Sequence, residues 1–167
     1  MSENGVEPWL VLRTRSRHEN TVEQGLQQKC INAYLPKRKL VRRWKNQKRV
    51  VELLLFPVYV FVQPRADQYE NIRYIRGTCG LVLAGSQPAN KPEKDLETLR
   101  ILVGSGAELA VDCMLTPGQR VRVIAGPFAS AEGEMVRMKM QERLIINVHL
   151  LSSSVSVEVY ADMVELV

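Results

Sequence analysis

Residues 56–62 read Phe56-Pro57-Val58-Tyr59-Val60-Phe61-Val62, the densest run of aromatic and β-branched side chains in the sequence. Such residues fill a pleated surface, so the run predicts a central buried strand. Pro57 has no N–H to give to a ladder, which places the strand's start near Val58 and its end at Gln63-Pro64. A central strand needs partners at both edges and cover on its faces. The flanking chain must therefore supply further strands and helices.

The charge balance changes across this run. Residues 1–51 hold 12 Lys/Arg against 4 Asp/Glu, whereas residues 52–167 hold 11 against 14. A one-sided basic segment predicts a polyanionic partner, nucleic acid or an anionic membrane surface, and is otherwise a solvated face. At 46% hydrophobic and 25% charged, the composition is that of a soluble chain with enough apolar material for one domain or two small ones. Cys30, Cys79 and Cys113 are odd in number, far apart and without a His at ligand spacing, which indicates neither a disulfide framework nor a zinc site. The first residues lack the pattern of a signal peptide, and no apolar run approaches the roughly 20 residues of a membrane span, so a reducing cytoplasm is expected. Paired carboxylates, a Ser/His/Asp set, a phosphate loop and metal-spaced ligands are all missing, and His149 sits in an alternating strand pattern. We expect no enzyme, no cofactor and no metal.

In chain order, Trp9-Leu10-Val11-Leu12-Arg13-Thr14 predicts an opening strand. Ser16 with Glu19 forms a capping-box pattern before a helix over 17–30, whose inner face holds Val22, Leu26 and Cys30. Residues 37–51 carry eight basic side chains and no acid. Leu40, Val41, Trp44, Val50 and Val51 interrupt them, and the pattern predicts two hairpin arms around a polar tip at 45–48. Basic residues around a Trp suit nucleic acid, because an indole ring can stack on a base; a lone Trp is also a common packing anchor. After the central strand, Asp67 caps a short helix over 68–75, residues 79–83 form a strand, and Pro92 opens a third helix with Leu96, Leu99 and Val103 at helical spacing. The Gly/Ser-led stretch 104–115 predicts a linker. Beyond it, five short strands need closure to avoid bare edges.

In that last segment, Pro117-Gly118-Gln119-Arg120-Val121-Arg122-Val123-Ile124-Ala125-Gly126-Pro127-Phe128-Ala129 and Gly133 resemble a KOW motif. The Trp9 strand, the basic hairpin, the 56–62 run, Arg76-Gly77 and the Pro92 helix resemble, in order, the N-terminal domain of the NusG family. The resemblance covers nearly the whole chain and implies an α+β fold. Residues 1–103 would form a mainly antiparallel sheet flanked by helices, 104–115 a linker, and 116–167 a five-stranded SH3-like barrel. It also implies a transcription elongation or antitermination factor, similar to the specialised RfaH and UpxY members that act at surface-polysaccharide operons.

Carried over residue by residue, the resemblance implies an RNA polymerase contact at Phe56 and Tyr59, with Leu96 and Leu99 from the last helix as further candidates, and a second-jaw contact at Tyr69, Glu70 and Asn71. Arg15, Arg17, His18, Arg73 and Arg76 would face non-template DNA or nascent RNA, as would Arg42, Arg43 and Lys45 of the hairpin. Phe128, Leu150 and Leu151 would form the KOW partner surface, meeting a ribosomal small-subunit protein. Three departures from the family pattern stand out. Val58 and Ser130 occupy positions where glycine is usual, and Leu151-Ser152-Ser153-Ser154 replaces an aromatic followed by Gly-Arg, which argues against a Rho contact. A monomer without membrane contact is expected. The competing reading is a general RNA-binding or ribosome-associated KOW protein that uses residues 37–49.

Overall fold

The computed structural model describes residues 7–113, 118–138, 141–148 and 153–167. The elements are β1 (Trp9–Thr14), α1 (Glu19–Gln28), β2 (Asn32–Tyr34), β3 (Lys37–Trp44), β4 (Gln47–Leu54), β5 (Tyr59–Gln63), α2 (Tyr69–Arg73), β6 (Thr78–Leu81), β7 (Leu83–Ala84), β8 (Gln87–Pro88), β9 (Asn90–Lys91), α3 (Glu93–Gly104), β10 (Ala110–Cys113), β11 (Gln119–Val123), β12 (Glu132–Met138), β13 (Gln141–Val148), β14 (Ser153–Glu158) and β15 (Val164–Leu166). The chain is sheet-dominated, with three helices among the described residues. It divides into two compact units: residues 1–35 with 56–93, and residues 36–55 with 94–167.

The first unit is built on an antiparallel sheet of order β2-β5-β1-β6, with β9 also pairing β1. Leu10 lies opposite Val62 and Leu12 opposite Val60, while Val11 faces Phe61 on the other side. All six are at most 1% exposed, so the middles of β1 and β5 are buried on both faces, which is why they read as apolar runs, and the end at Arg13 and Tyr59 is more open. In α1, Val22 and Leu26 are fully buried at i, i+4. Gly25 brings α1 close to the end of α2, since a Cβ there would stand 2.8 Å from Ile75 Cγ2.

Two capping expectations are corrected. Helix α1 begins at Glu19 after His18, without a side-chain cap from Ser16, because the Glu19 carboxylate accepts the Val58 N–H at 3.0 Å. Asp67 likewise does not cap α2. Gln68 Oε1 accepts the Arg65 N–H at 2.9 Å, and Asp67 pairs with the Arg65 side chain instead.

In the second unit, β3 and β4 form the expected hairpin in full register, closed by Lys45 and Asn46, both at positive φ. Arg38 Nη1 donates to the Leu109 carbonyl at 3.1 Å and fastens the hairpin's base. The remaining strands form one antiparallel sheet of order β10-β14-β13-β12-β11-β15. Residues 110–113 fall in the stretch read as a linker, yet they form β10 and pair with β14, because Ala110 and Val111 find backbone partners there. The five expected strands are present as β11–β15; among the described residues β10 adds a sixth, and the sheet runs in an order with β10 and β15 at its ends.

Glu132 ties α3 to this sheet. Arg122, directly opposite on β11, donates to Glu132 Oε1 through Nε at 2.9 Å and Nη2 at 2.7 Å. Lys94 and Arg120 lie 3.7 Å from the other oxygen, and the Glu132 N–H donates to Thr98 Oγ1 at 3.2 Å. Hydrogen bonds from Arg122 hold the Glu132 carboxyl below its ordinary value; burial opposes this, and the charges of Lys94, Arg122 and Arg120 reinforce it. A carboxylate depressed in the folded state stabilises above its unfolded pKa, and that contribution is lost as pH falls through the folded pKa. We expect Glu132→Gln to lower the thermal midpoint at neutral pH and to flatten the fall of stability on acidification below the ordinary glutamate range. Melts of the two proteins across that range measure both effects.

Candidate functional site

The entrance to β5 is a turn. The Tyr59 N–H donates to the Phe56 carbonyl at 3.4 Å across Pro57 and Val58, with Val58 at φ +65. Proline at the second position and positive φ at the third make the pattern of a type II turn, so the strand starts at Tyr59, directly after Val58 as expected. Phe56 is 4% exposed, with its ring edge-on to Phe61 at 6.0 Å. Tyr59 is half-buried. Register puts Tyr59 beside Arg13, and Tyr34 beside Phe61, on one face of the sheet. Sequence reasoning missed Arg13 and Tyr34. Nothing local marks them, because only the pairing of β2 and β1 with β5 brings them to Tyr59. Leu96 and Leu99 are fully buried, so they offer no surface in this conformation.

The cationic residues predicted from two separate segments do meet. The Arg15 N–H donates to the Gly77 carbonyl at 2.8 Å, and His18 Nδ1 bonds the Ser16 carbonyl at 2.9 Å within the same loop. Gly77 is required twice over: its φ is +95, and a Cβ would stand 2.8 Å from His18 Cβ. Arg15, Arg17 and Arg76 are therefore exposed around one loop pair, with His18 half-buried between them. Arg73 is also exposed but belongs to a neighbouring groove of about 770 Å³, lined by Tyr69, Glu70, Ile72, Thr78 and Leu81 among others. Burial, and then the charge of Glu7, raise the Tyr69 hydroxyl above its usual pKa. Asn71 is exposed on the same helix, outside that lining.

On the hairpin, Arg42 lies opposite Arg49 and Arg43 opposite Lys48, with Lys45 in the turn. Like charges directly across a ladder repel. Among the described residues none of the five has an ion-pair partner, and all are exposed. The hairpin thus holds concentrated positive charge that a polyanion would neutralise. Phe128 is half-buried in the loop between β11 and β12, where its carbonyl accepts the Ala131 N–H at 2.9 Å. Leu150 and Leu151, together with His149, lie outside the described residues.

The family model described as "Transcription termination factor nusG" matches residues 7–100, more than half the chain. The chain belongs to the NusG family. Among relatives named transcription termination/antitermination protein NusG, the chain is 30% identical to that of Thermus thermophilus over 125 residues, covering 68% of each chain. It is 26% identical to that of Pseudomonas aeruginosa, over 94% of this chain and 97% of the relative. The Staphylococcus aureus relative is 27% identical, with 99% of both chains covered. A solved structure on domain interaction in Thermotoga maritima NusG aligns over 96% of this chain and 97% of its own, at 21% identity and a TM-score of 0.49.

Val58 and Ser130, where the resemblance implies glycine, both adopt the left-handed conformation that glycine takes without strain, at φ +65 and φ +75. For a side-chain-bearing residue this conformation costs roughly 1–2 kcal/mol, partly offset because glycine loses about 0.5–1 kcal/mol more on folding. Val58→Gly is accordingly expected to stabilise the chain by about 0.5–1 kcal/mol in denaturant titrations. A loss of stability would show that the valine side chain contributes more packing than its backbone costs.

Proposed function

We propose that this chain binds RNA polymerase and promotes processive elongation and antitermination. The carrying observation is that Arg15, Arg17 and His18, far in sequence from Arg76-Gly77, form one cationic loop pair with them in a chain of the NusG family. In this reading the sheet face bearing Tyr34, Tyr59 and Arg13 meets the polymerase, with Phe56 beneath it as support. Tyr69, Glu70 and Asn71 serve the second-jaw contact, and the loop pair faces the non-template strand. No bond is made or broken. A factor that binds the closed, processive state about 1.4 kcal/mol better than the open one shifts that equilibrium roughly tenfold.

The finer assignments belong to the same proposal. The chain is a specialised paralogue acting at particular operons, such as surface-polysaccharide clusters. The β11–β15 segment is an SH3-like KOW barrel offering Phe128, Leu150 and Leu151 to a ribosomal small-subunit protein.

Binding of the full chain to core RNA polymerase tests the reading. Tyr59→Ala and Tyr34→Ala should each weaken affinity about tenfold, the loss typical of truncating an interface anchor, with folding unchanged by circular dichroism. A double Arg15→Glu, Arg76→Glu variant should keep polymerase affinity and lose its effect on pausing and read-through. Absence of polymerase binding, together with tight binding to ribosomal RNA, would favour the general RNA-binding reading instead.

A further inference from the structure

We propose that the β3–β4 hairpin is two-faced, and that the face bearing Trp44 binds an unpaired nucleotide of a single strand, the indole stacking on the base while Arg42 and Arg49 hold flanking phosphates. The inference rests on the reading of the chain as a nucleic-acid-facing transcription factor and deepens it.

The register separates the two faces. Residues directly opposite in an antiparallel ladder share a face, and side chains alternate along each strand. One face carries the pairs Trp44 with Gln47, Arg42 with Arg49, Leu40 with Val51 and Arg38 with Leu53; the other carries Arg43 with Lys48, Val41 with Val50, Lys39 with Glu52 and Lys37 with Leu54. Every cation on the Trp44 face is arginine, whereas the opposite face has three lysines and one arginine. Guanidinium groups bind phosphate oxygens in pairs and stack on flat rings, and ammonium groups act as hydrated point charges. The two faces therefore suit different ligands.

The base of the Trp44 face is used by the fold. Leu40, Val51 and Leu53 are half-buried there, and Arg38 is bonded to the Leu109 carbonyl. Its outer part is not. Trp44 is 67% exposed, and Arg42 and Arg49 are exposed beside it. Successive positions on one face lie about 6.6–6.8 Å apart along a strand, so the indole and the arginine pair are adjacent, and a ring stacked on Trp44 would have guanidinium groups at its edge. The other tryptophan, Trp9, is 1% exposed. The contrast marks Trp44 as a surface group whose apolar area nothing described in the chain covers.

This combination favours an unpaired nucleotide. In a duplex the bases are stacked on one another and a surface hairpin meets mainly phosphates, which the lysine-rich face accepts equally well. Arg43, Lys45, Asn46 and Lys48 surround a concavity of about 520 Å³ suited to such a contact. A single strand presents a free π-face, which an exposed indole stacks on whatever the base, and its phosphates meet the arginines.

Fluorescence of the full chain reads the contact directly, because Trp44 alone of the two tryptophans is accessible to solvent. The probes are a short oligothymidylate, the matching oligouridylate, a blunt duplex, heparin as a polyanion without bases, and phosphatidylserine vesicles. The single strands should quench the accessible emission. Trp44→Ala should weaken their binding about 5- to 150-fold while leaving heparin affinity unchanged, and Trp44→Phe should recover part of the loss. Arg42→Gln and Arg49→Gln should each reduce the salt slope of single-strand binding by about 0.7. A preference for either single strand over duplex and heparin supports the inference.

Equal quenching by duplex or heparin, or a Trp44 response to vesicles alone, would overturn it. Single-strand binding with its full salt slope but no sensitivity to Trp44 would overturn the stacking contact and leave the nucleic-acid reading standing. No binding to any polyanion would overturn both. Thermal melts of each variant separate these outcomes from misfolding.

Discussion

Val58 is held through both of its backbone polar groups. Its N–H is accepted by the Glu19 carboxylate, and its carbonyl accepts the Thr14 N–H at 2.8 Å. These two bonds join the start of α1, the end of β1 and the entrance to β5, and they do so with a valine in a conformation that disfavours valine. A buried carboxylate that accepts a backbone N–H offsets that strain, since leaving either group unpaired in the interior would cost about 1–3 kcal/mol. Tyr59 follows directly from this turn, and the Arg15–His18 loop follows directly from Thr14. The aromatic face and the cationic loop pair are thus set by one clasp, which connects the strain at Val58 to the surfaces proposed to act.

The second unit solves a different problem. Its hairpin places like charges across the ladder twice, a cost that the half-buried Leu40, Val51 and Leu53 and the Arg38–Leu109 bond counter at the base. At the outer end nothing described in the chain neutralises them. Glu132 shows the opposite solution: three cations converge on one carboxylate that is only 10% exposed, and the result holds α3 to the sheet. Among the described residues, cations in this unit therefore divide into those that stabilise the fold and those of the hairpin's outer end that have no acidic neighbour. The division follows from the placement of acidic residues rather than from the number of basic ones.

Much of this was legible in the residues themselves. The run at 56–62 marks a buried strand because its composition suits a sheet interior, and the hairpin is visible because apolar residues interrupt its charge on either side of a polar tip. The order of motifs pointed to the NusG family before any geometry was known. What escaped was non-local. Glu19 was read as half of a capping box with Ser16, since sequence shows a partner three residues away and not one thirty-nine residues away. Residues 110–113 lie in the predicted linker because their partners in β14 are 40 or more positions later, beyond the reach of any local pattern. Tyr34 and Arg13 became part of the candidate surface only through the register of three strands.

The central claim is that the Tyr59 face is the polymerase-facing surface. A photo-crosslinking residue placed at Tyr59 in the full chain, irradiated with a stalled elongation complex, tests it most directly. The crosslink should form to a polymerase subunit and be competed by unmodified protein. A crosslink formed only to nucleic acid or to ribosomal components, with the labelled chain still bound to the complex, would contradict it.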